Sequence, residues 1–260
     1  MMSSAVPITV PILLYHSVGD WPAADQAALT VTPAAFREHM RAISDADRTA
    51  LTVGELAGAL RGERVLPPRP VLVTFDDGFA DVRPAVELLL SAGLAATVFV
   101  TSGWVGREAM LTQAGLRELA ALGERVEVGA HSVTHPRLDE LRAARVAAEI
   151  ADSKAALEGV VEAPLRAFAY PHGAYDARAR AAVIDAGFSG AAAVKNALSH
   201  SEDDPYALAR VTIMASTGVR DIEMLLAGSG VPQAWRRERL RTRGYRSVRR
   251  LRRRLGRPVA

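Results

Sequence analysis

"VLVTFDDGFADV", residues 71–82, is the stretch on which the fold turns. An apolar, β-branched run from Val71 to Phe75 has the length and composition of a strand. It stops abruptly at two adjacent carboxylates, Asp76 and Asp77, and a glycine follows. Asp-Gly is a common turn dipeptide, so one reading is a plain strand end. Adjacent acids repel each other, however, and the other reading is a cation between strand ends that gives the two carboxylates different jobs.

The same layout recurs along the chain. Strand candidates are Ile8–His16, Val71–Phe75, Ala96–Thr101, Val126–Ala130, Ala167–Tyr170, Gly190–Val194 and Arg210–Met214. Helical patterns lie between them at Pro33–Ile43 (Thr32 as N-cap), Arg83–Ala92, Gln113–Leu122, Glu140–Leu157, Asp176–Ala186 and Val219–Ala227. Four of these end at a glycine, Gly93, Gly123, Gly187 or Gly228, as helix C-termini often do. Repeated strand-then-helix order predicts an α/β protein with a parallel sheet. Seven such strands within residues 1–232 favour a distorted (β/α) barrel in a single domain over a doubly wound sheet, which the pattern alone leaves open.

Unusual polar residues collect at strand C-termini. His16 follows "ITVPILLY", the two acids follow "VLVTF", His131 follows "VEVGA", and Pro171-His172 follow "RAFAY". In α/β barrels that edge carries the chemistry. "HSVTH" adds His135 four residues after His131, a spacing that lets two imidazoles converge on a helix or in a tight loop. Two His and one Asp make a three-ligand site with room for water, the donor set of hydrolytic zinc. The chain has no cysteine, so thiolate chemistry and disulfides are excluded and a metal must use His and carboxylate.

Composition supports a well-filled core, with 49% hydrophobic residues. The N-terminus lacks the basic start of a secretory signal, and no apolar run is long enough to span a bilayer. The expectation is a cytoplasmic protein. Charge is uneven: the net value is +3, while residues 235–260 hold twelve Arg and one Glu, or +11, which leaves −8 for the rest. Residues 233–260 therefore read as an Arg-rich tail. Val248, Leu251 and Leu255 allow a short basic amphipathic helix, so residues 236–257 could contact an anionic membrane surface, peripherally and from the inner side. A solvated extension is the plain alternative. No base-reading motif supports a specific nucleic-acid partner.

"TFDDG" (74–78), "HSVTHP" (131–136) and "FAYPHG" (168–173), in this order, resemble the polysaccharide deacetylase family, the NodB-homology domains of carbohydrate esterase family 4. The resemblance covers roughly residues 8–228. It implies a barrel of about seven strands that removes acetyl groups from sugars with a divalent metal, zinc first, with cobalt, nickel or manganese as alternatives. It also implies Asp77, His131 and His135 as metal ligands and Asp76 as general base. "LLYHSV" resembles the branch of poly-N-acetylglucosamine deacetylases, in which an N-terminal histidine takes the general acid's place; His16 fills that position. His172 stands where the family has tyrosine, and a backbone N–H there would stabilise the oxyanion.

Two departures from the pattern matter. Many members carry an arginine two residues before the proline; here that position is Ala169, and Arg210, with Arg166 behind it, is the candidate replacement. The late motif that supplies a histidine acid has no clear match, since His200 falls in a polar "LSH" segment. Trp104, Tyr170 and Pro171, with His172, are candidates for contact with a sugar ring, against a core-packing role. Thr74 and Ser132 read as loop supports, and His39 as plain surface. The implied function is metal-dependent hydrolysis of N-acetyl groups on amino sugars of a glycan or glycoconjugate. Hydrolysis of a non-sugar amide and a non-catalytic carbohydrate-binding role are the alternatives.

Overall fold

The computed structural model describes residues 6–20, 22 and 24–234. Seven strands form its frame: β1 (Ile12–Tyr15), β2 (Pro70–Phe75), β3 (Ala96–Val100), β4 (Val126–Ala130), β5 (Ala167–Ala169), β6 (Gly190–Val194) and β7 (Leu208–Thr212). Every neighbouring pair is parallel, and the ring runs in chain order. It closes where β7 pairs with β1 (Thr212 opposite Leu14) and β1 with β2 (Tyr15 opposite Phe75). The protein is thus a single α/β domain built on a closed seven-stranded parallel barrel. The ring is distorted at the seam between β4 and β5, where Ala130 opposite Phe168 is the one register pair.

Side-chain alternation divides the ring into two cores. Residues such as Leu13, Tyr15, Val73, Phe75, Val98, Val128 and Phe168 face outward into the helices. Ile12, Leu72, Phe99, Ala167, Ala169, Ala192 and Leu208 face inward. The inward positions of β5 and the central inward position of β6, Ala192, are alanines, and the space they leave is occupied by Phe99 and by the Arg210 side chain stacked over it, 5.2 Å from the ring centre.

The surrounding helices are α1 (Pro33–Asp45), α2 (Val53–Leu60), α3 (Val82–Ser91), α4 (Gln113–Ala120), α5 (Ala143–Val161), α6 (Ala177–Asp185) and α7 (Val219–Leu226). Thr32, Thr52, Thr112 and Asp176 cap α1, α2, α4 and α6 by accepting backbone N–H bonds. Helix α2, which the sequence reading did not anticipate, starts inside the N-terminal mouth of the barrel. Its Val53 N–H donates to Thr97 Oγ1 (2.9 Å) and its Gly54 N–H to Glu127 Oε2 (2.9 Å). A Cβ at Gly54 would collide with the Glu127 carboxylate. The glycine that weakens the helical pattern therefore lets the Glu127 carboxylate lie directly against the helix start.

Three boundaries differ from expectation. Pro11, which has no N–H to give, splits the first strand; Thr9–Val10 instead pairs antiparallel with Ser199–His200. The last strand begins at Leu208, two residues early, so Arg210 lies mid-strand. Helix α5 runs from Ala143 to Val161, displaced from the expected Glu140–Leu157, and ends on Glu162 in a left-handed conformation (φ 55°). His39 is a correction: it lies on the buried stripe of α1 with Phe36, Met40 and Ile43, with Tyr15 Oη 3.1 Å from its Nδ1 and the Thr217 carbonyl 3.1 Å from its Nε2.

The chain remains fastened to the barrel as far as Ala234, whose N–H donates to the Leu198 carbonyl (2.7 Å). The basic segment at 236–257 and its amphipathic pattern lie outside the described residues. Among the described residues no helix is long and apolar enough to cross a membrane.

Candidate active site

The end of β2 resolves the puzzle of two adjacent acids. Asp76 continues the inward face of Leu72 and Thr74, and its N–H bonds the Tyr15 carbonyl (3.0 Å). Simple alternation would send Asp77 to the outer face. Instead Asp77 adopts φ 74° and Gly78 φ 87°, and this left-handed turn brings Asp77 toward His131, which Asp76 also approaches, and toward His135. A left-handed non-glycine costs roughly 1–2 kcal/mol. Bonds from Thr101 N–H to the Asp77 carbonyl (3.2 Å) and from Leu111 N–H to the Gly78 carbonyl (2.9 Å) hold it.

Asp76 is paired with Arg210 from the last strand. Arg210 Nη1 donates to Oδ1 (2.6 Å) and Nη2 to Oδ2 (2.8 Å), with further bonds from Arg210 to Thr74 Oγ1 (3.2 Å) and the Ala193 carbonyl (3.4 Å). Arg210 is fully buried. Burial works to raise the Asp76 pKa, but the guanidinium, helped by His131 and His16, outweighs it and holds the carboxyl down at about 2. Asp77 has no such partner, and burial together with the Asp76 charge pushes it up to about 7. Ala169, across the barrel, is inward-facing and small. Arg166 is exposed at the opposite, N-terminal end of β5, away from the acids.

His131 and His135 are brought together by a strained loop. Ser132 (φ 64°) and His135 (φ 58°) both adopt left-handed conformations. Ser132 Oγ accepts the His135 N–H (3.0 Å). Glu149, buried on α5, accepts Val133 N–H (3.0 Å) and Thr134 N–H (2.8 Å) at Oε2, and Thr134 Oγ1–H (2.7 Å) and Arg145 Nη2–H (2.7 Å) at Oε1. Glu149 is the residue that reading motifs missed. It lies fourteen residues beyond the loop it holds, and only the packing of α5 connects them.

The Nε2 atoms of His131 and His135 are 3.2 Å apart, and Asp77 Oδ1 is 3.6 Å and 3.3 Å from them. The three donors lie within 4.8 Å of one another. The Ala169 carbonyl, 2.8 Å from His131 Nδ1, accepts a hydrogen bond that keeps the proton on Nδ1 and leaves Nε2 with a free lone pair. Burial, ahead of the surrounding charges, lowers His131 to about 4 and His135 to about 3, so both rings are neutral near pH 7. Two neutral imidazole nitrogens at this distance, beside a carboxylate that lacks a counter-charge, fit a divalent cation and fit little else.

His16 lies beside Asp76, because Tyr15 and Phe75 are register partners and both following residues point inward. Its Nδ1 is buried with no hydrogen-bond partner, and burial lowers its pKa against the opposing pull of Asp76. His172 (φ 57°) is exposed, its ring centre 4.4 Å from that of His135. Trp104, half-buried, has its ring centre 5.1 Å from that of His135. Tyr170 and Pro171 are not at the surface. Tyr170 is fully buried, stacked on Tyr175 (4.5 Å), with its hydroxyl bonded to the Tyr206 carbonyl (3.0 Å), so it has no face to offer a sugar. His200 lies at the N-terminal side of the barrel, its Nε2 3.2 Å from the Ala234 carbonyl, and takes no part in this cluster.

A closed parallel barrel whose C-terminal mouth gathers a paired carboxylate and an Asp-His-His trio defines a hydrolase-type site on a TIM-like frame. Residues 63–191 match the polysaccharide deacetylase family model. YxkH of Bacillus subtilis (strain 168), a polysaccharide deacetylase by name, is 28% identical over 208 residues, covering 80% of this chain and 72% of that protein. Among solved structures, the Streptococcus pyogenes deacetylase PplD in complex with acetate superposes with a TM-score of 0.77 at 23% identity, covering 85% of this chain and 99% of that one. BC0361, a polysaccharide deacetylase from Bacillus cereus, gives 0.74 at 25% identity over 85% of this chain and 69% of its own. Residues 63–191 thus carry the polysaccharide deacetylase match, on a fold shared with solved deacetylases. His16 and Arg210 both fall outside the residues that the family model matches.

Proposed function

We propose that this protein is a metal-dependent deacetylase that hydrolyses N-acetyl groups of amino sugars in a glycan or glycoconjugate. The observation that carries this reading is one juxtaposition: a carboxylate held ionised by a bidentate arginine beside two neutral imidazoles and a second acid. In this reading Asp77, His131 and His135 hold the cation, zinc by the chemistry of the donor set, with cobalt, nickel or manganese as alternatives. When bound, the cation supplies Lewis acidity, which makes a water easier to deprotonate and stabilises charge on the acetyl oxygen.

The chain's own groups do the rest. Asp76 Oδ accepts the proton from the attacking water, and Arg210 keeps that carboxylate charged and oriented. The backbone N–H at His172 donates to the carbonyl oxygen as it gains charge. His16 delivers a proton to the departing nitrogen as the C–N bond breaks; burial lowers its pKa, and the Asp76 charge beside it opposes that shift. Water adds to the carbonyl carbon, and acetate and a free amine leave. Trp104 and the His172 ring, flanking His135, are the surfaces against which a sugar would lie.

Acetate release from chitooligosaccharides tests the assignment. Asp76→Asn is expected to retain metal and lose about 10²- to 10⁴-fold in turnover, whereas His131→Ala loses metal and turnover together. A wild-type protein that binds metal yet releases acetate from neither an amide nor an ester would overturn the sugar-deacetylase reading in favour of a different amide or a binding role.

A further inference from the structure

The loop that begins with Asp76 and Asp77 makes a second attachment five residues later. Asp81 does not cap the helix it precedes; its side chain makes no bond to the start of α3. It turns instead to the segment that follows His16. Ser17 Oγ donates to Asp81 Oδ2 at 2.5 Å, and a Cβ placed on Gly19 would come within 3.3 Å of the same oxygen. Ser17–Val18 is itself a two-residue strand paired in parallel with Thr30–Val31, so His16 lies between β1 on one side and this fastened segment on the other.

Local geometry makes this attachment consequential. The His16 ring makes no hydrogen bond through its buried Nδ1, so nothing at that nitrogen fixes its position. Its orientation depends on the backbone on either side. The Tyr15 side is set by the sheet and by the Asp76 N–H bond to the Tyr15 carbonyl. The Ser17 side is set by Asp81.

We propose that Asp81 is a positioning residue for His16, through which one loop, Asp76–Asp81, sets the separation between the proton acceptor and the proton donor. The proposal rests on the reading of His16 as the acid. That role matters for an amide, whose amine must be protonated to leave, and hardly at all for an aryl acetate, whose phenolate leaves unaided. A residue acting through His16 therefore affects the two substrates differently, and a residue that merely supports the fold does not.

The test uses the full chain, zinc-loaded, with wild type, Asp81→Ala, Ser17→Ala, His16→Ala and the His16→Ala/Asp81→Ala double variant. Turnover of a chitooligosaccharide is compared with that of an aryl acetate. Asp81→Ala is expected to lose about 10- to 100-fold on the amide, the scale of a misplacement near 1 Å, while the ester rate stays nearly level. In the His16→Ala background the same change is expected to cost nothing more. The histidine ¹⁵N resonances supply a readout that needs no turnover: those of His16 shift in Asp81→Ala and Ser17→Ala, and those of His131 and His135 do not. Equal losses on both substrates, additive losses in the double variant, or an unmoved His16 resonance would each overturn the proposal. Undiminished amide turnover in His16→Ala refutes the acid assignment instead, a distinct result.

Discussion

Replacing Arg210 with methionine removes the guanidinium, keeps most of the side-chain volume and leaves Asp76 as a buried charge without a partner. Two charge-assisted hydrogen bonds are lost, at 2.6 and 2.8 Å, in a site where both residues are almost fully inaccessible. At about 1.5–3 kcal/mol for each such bond, or about 3–6 kcal/mol for the two, the loss overlaps the range of about 3–5 kcal/mol for deleting one member of a buried ion pair. The stacking of Arg210 on Phe99 adds little by comparison. Urea unfolding of chelator-treated protein is the assay, so that no added cation neutralises the orphaned carboxylate. The cost should shrink to less than half when Arg210→Met is made in an Asp76→Asn background, because no buried charge is then stranded. Arg210→Lys should fall between, since an ammonium retains the charge without the two-pronged geometry. An Arg210→Met protein within about 1 kcal/mol of wild type, or an equal cost in both backgrounds, would refute the claim that the pair is a buried, ionised unit.

Further outcomes follow from the supports around the site. Glu149→Ala removes three bonds from the His131–His135 loop, and zinc affinity measured by chelator competition should fall about 10- to 100-fold. Gly129→Ala places a Cβ 2.5 Å from the Phe99 ring, and overpacking of about 1–3 kcal/mol should appear in denaturant unfolding, with turnover reduced because Phe99 underlies Arg210. Glu127 is pushed up to about 6 by burial, against a reference near 4.5. The folded state then binds that proton more tightly than the unfolded state, so unfolding free energy should decrease as pH rises from about 4.5 to 6, by about 2 kcal/mol. Glu127→Gln should flatten that window in pH-dependent urea titrations.

Strand ends were legible from the sequence because apolar runs there terminate in residues that no core would choose, as at Phe75-Asp76 and Ala130-His131. The Asp77-His131-His135 cluster was legible for the same reason, together with its spacing. What pairs with Asp76 was only half legible. Arg210 could be nominated, but its inward direction depends on the strand starting at Leu208, and parity in a strand shifts with its first residue. His39 was misread although its signal was present, since Phe36, His39, Met40 and Ile43 share one helical face. Helix α2 carried its signal too, in Thr52 and Glu55, but Gly54 and Gly58 weakened the pattern. Tyr170 resembled a rim residue by its place beside the proline, yet it follows the outward parity of Phe168 and belongs to the helix-facing core.

The partner of Asp76 lies 134 residues further along the chain, on the strand that closes the ring between β6 and β1. During synthesis, every other group in the cluster emerges well before Arg210. Until that last strand docks, Asp76 has no counter-charge and the inner face of the barrel stays open along one side. Pairing of the buried carboxylate is therefore tied to topological completion. A growing chain that exposes its acids and histidines early is not yet able to hold the Asp76 carboxylate in place, and it acquires that ability in the step that seals the barrel.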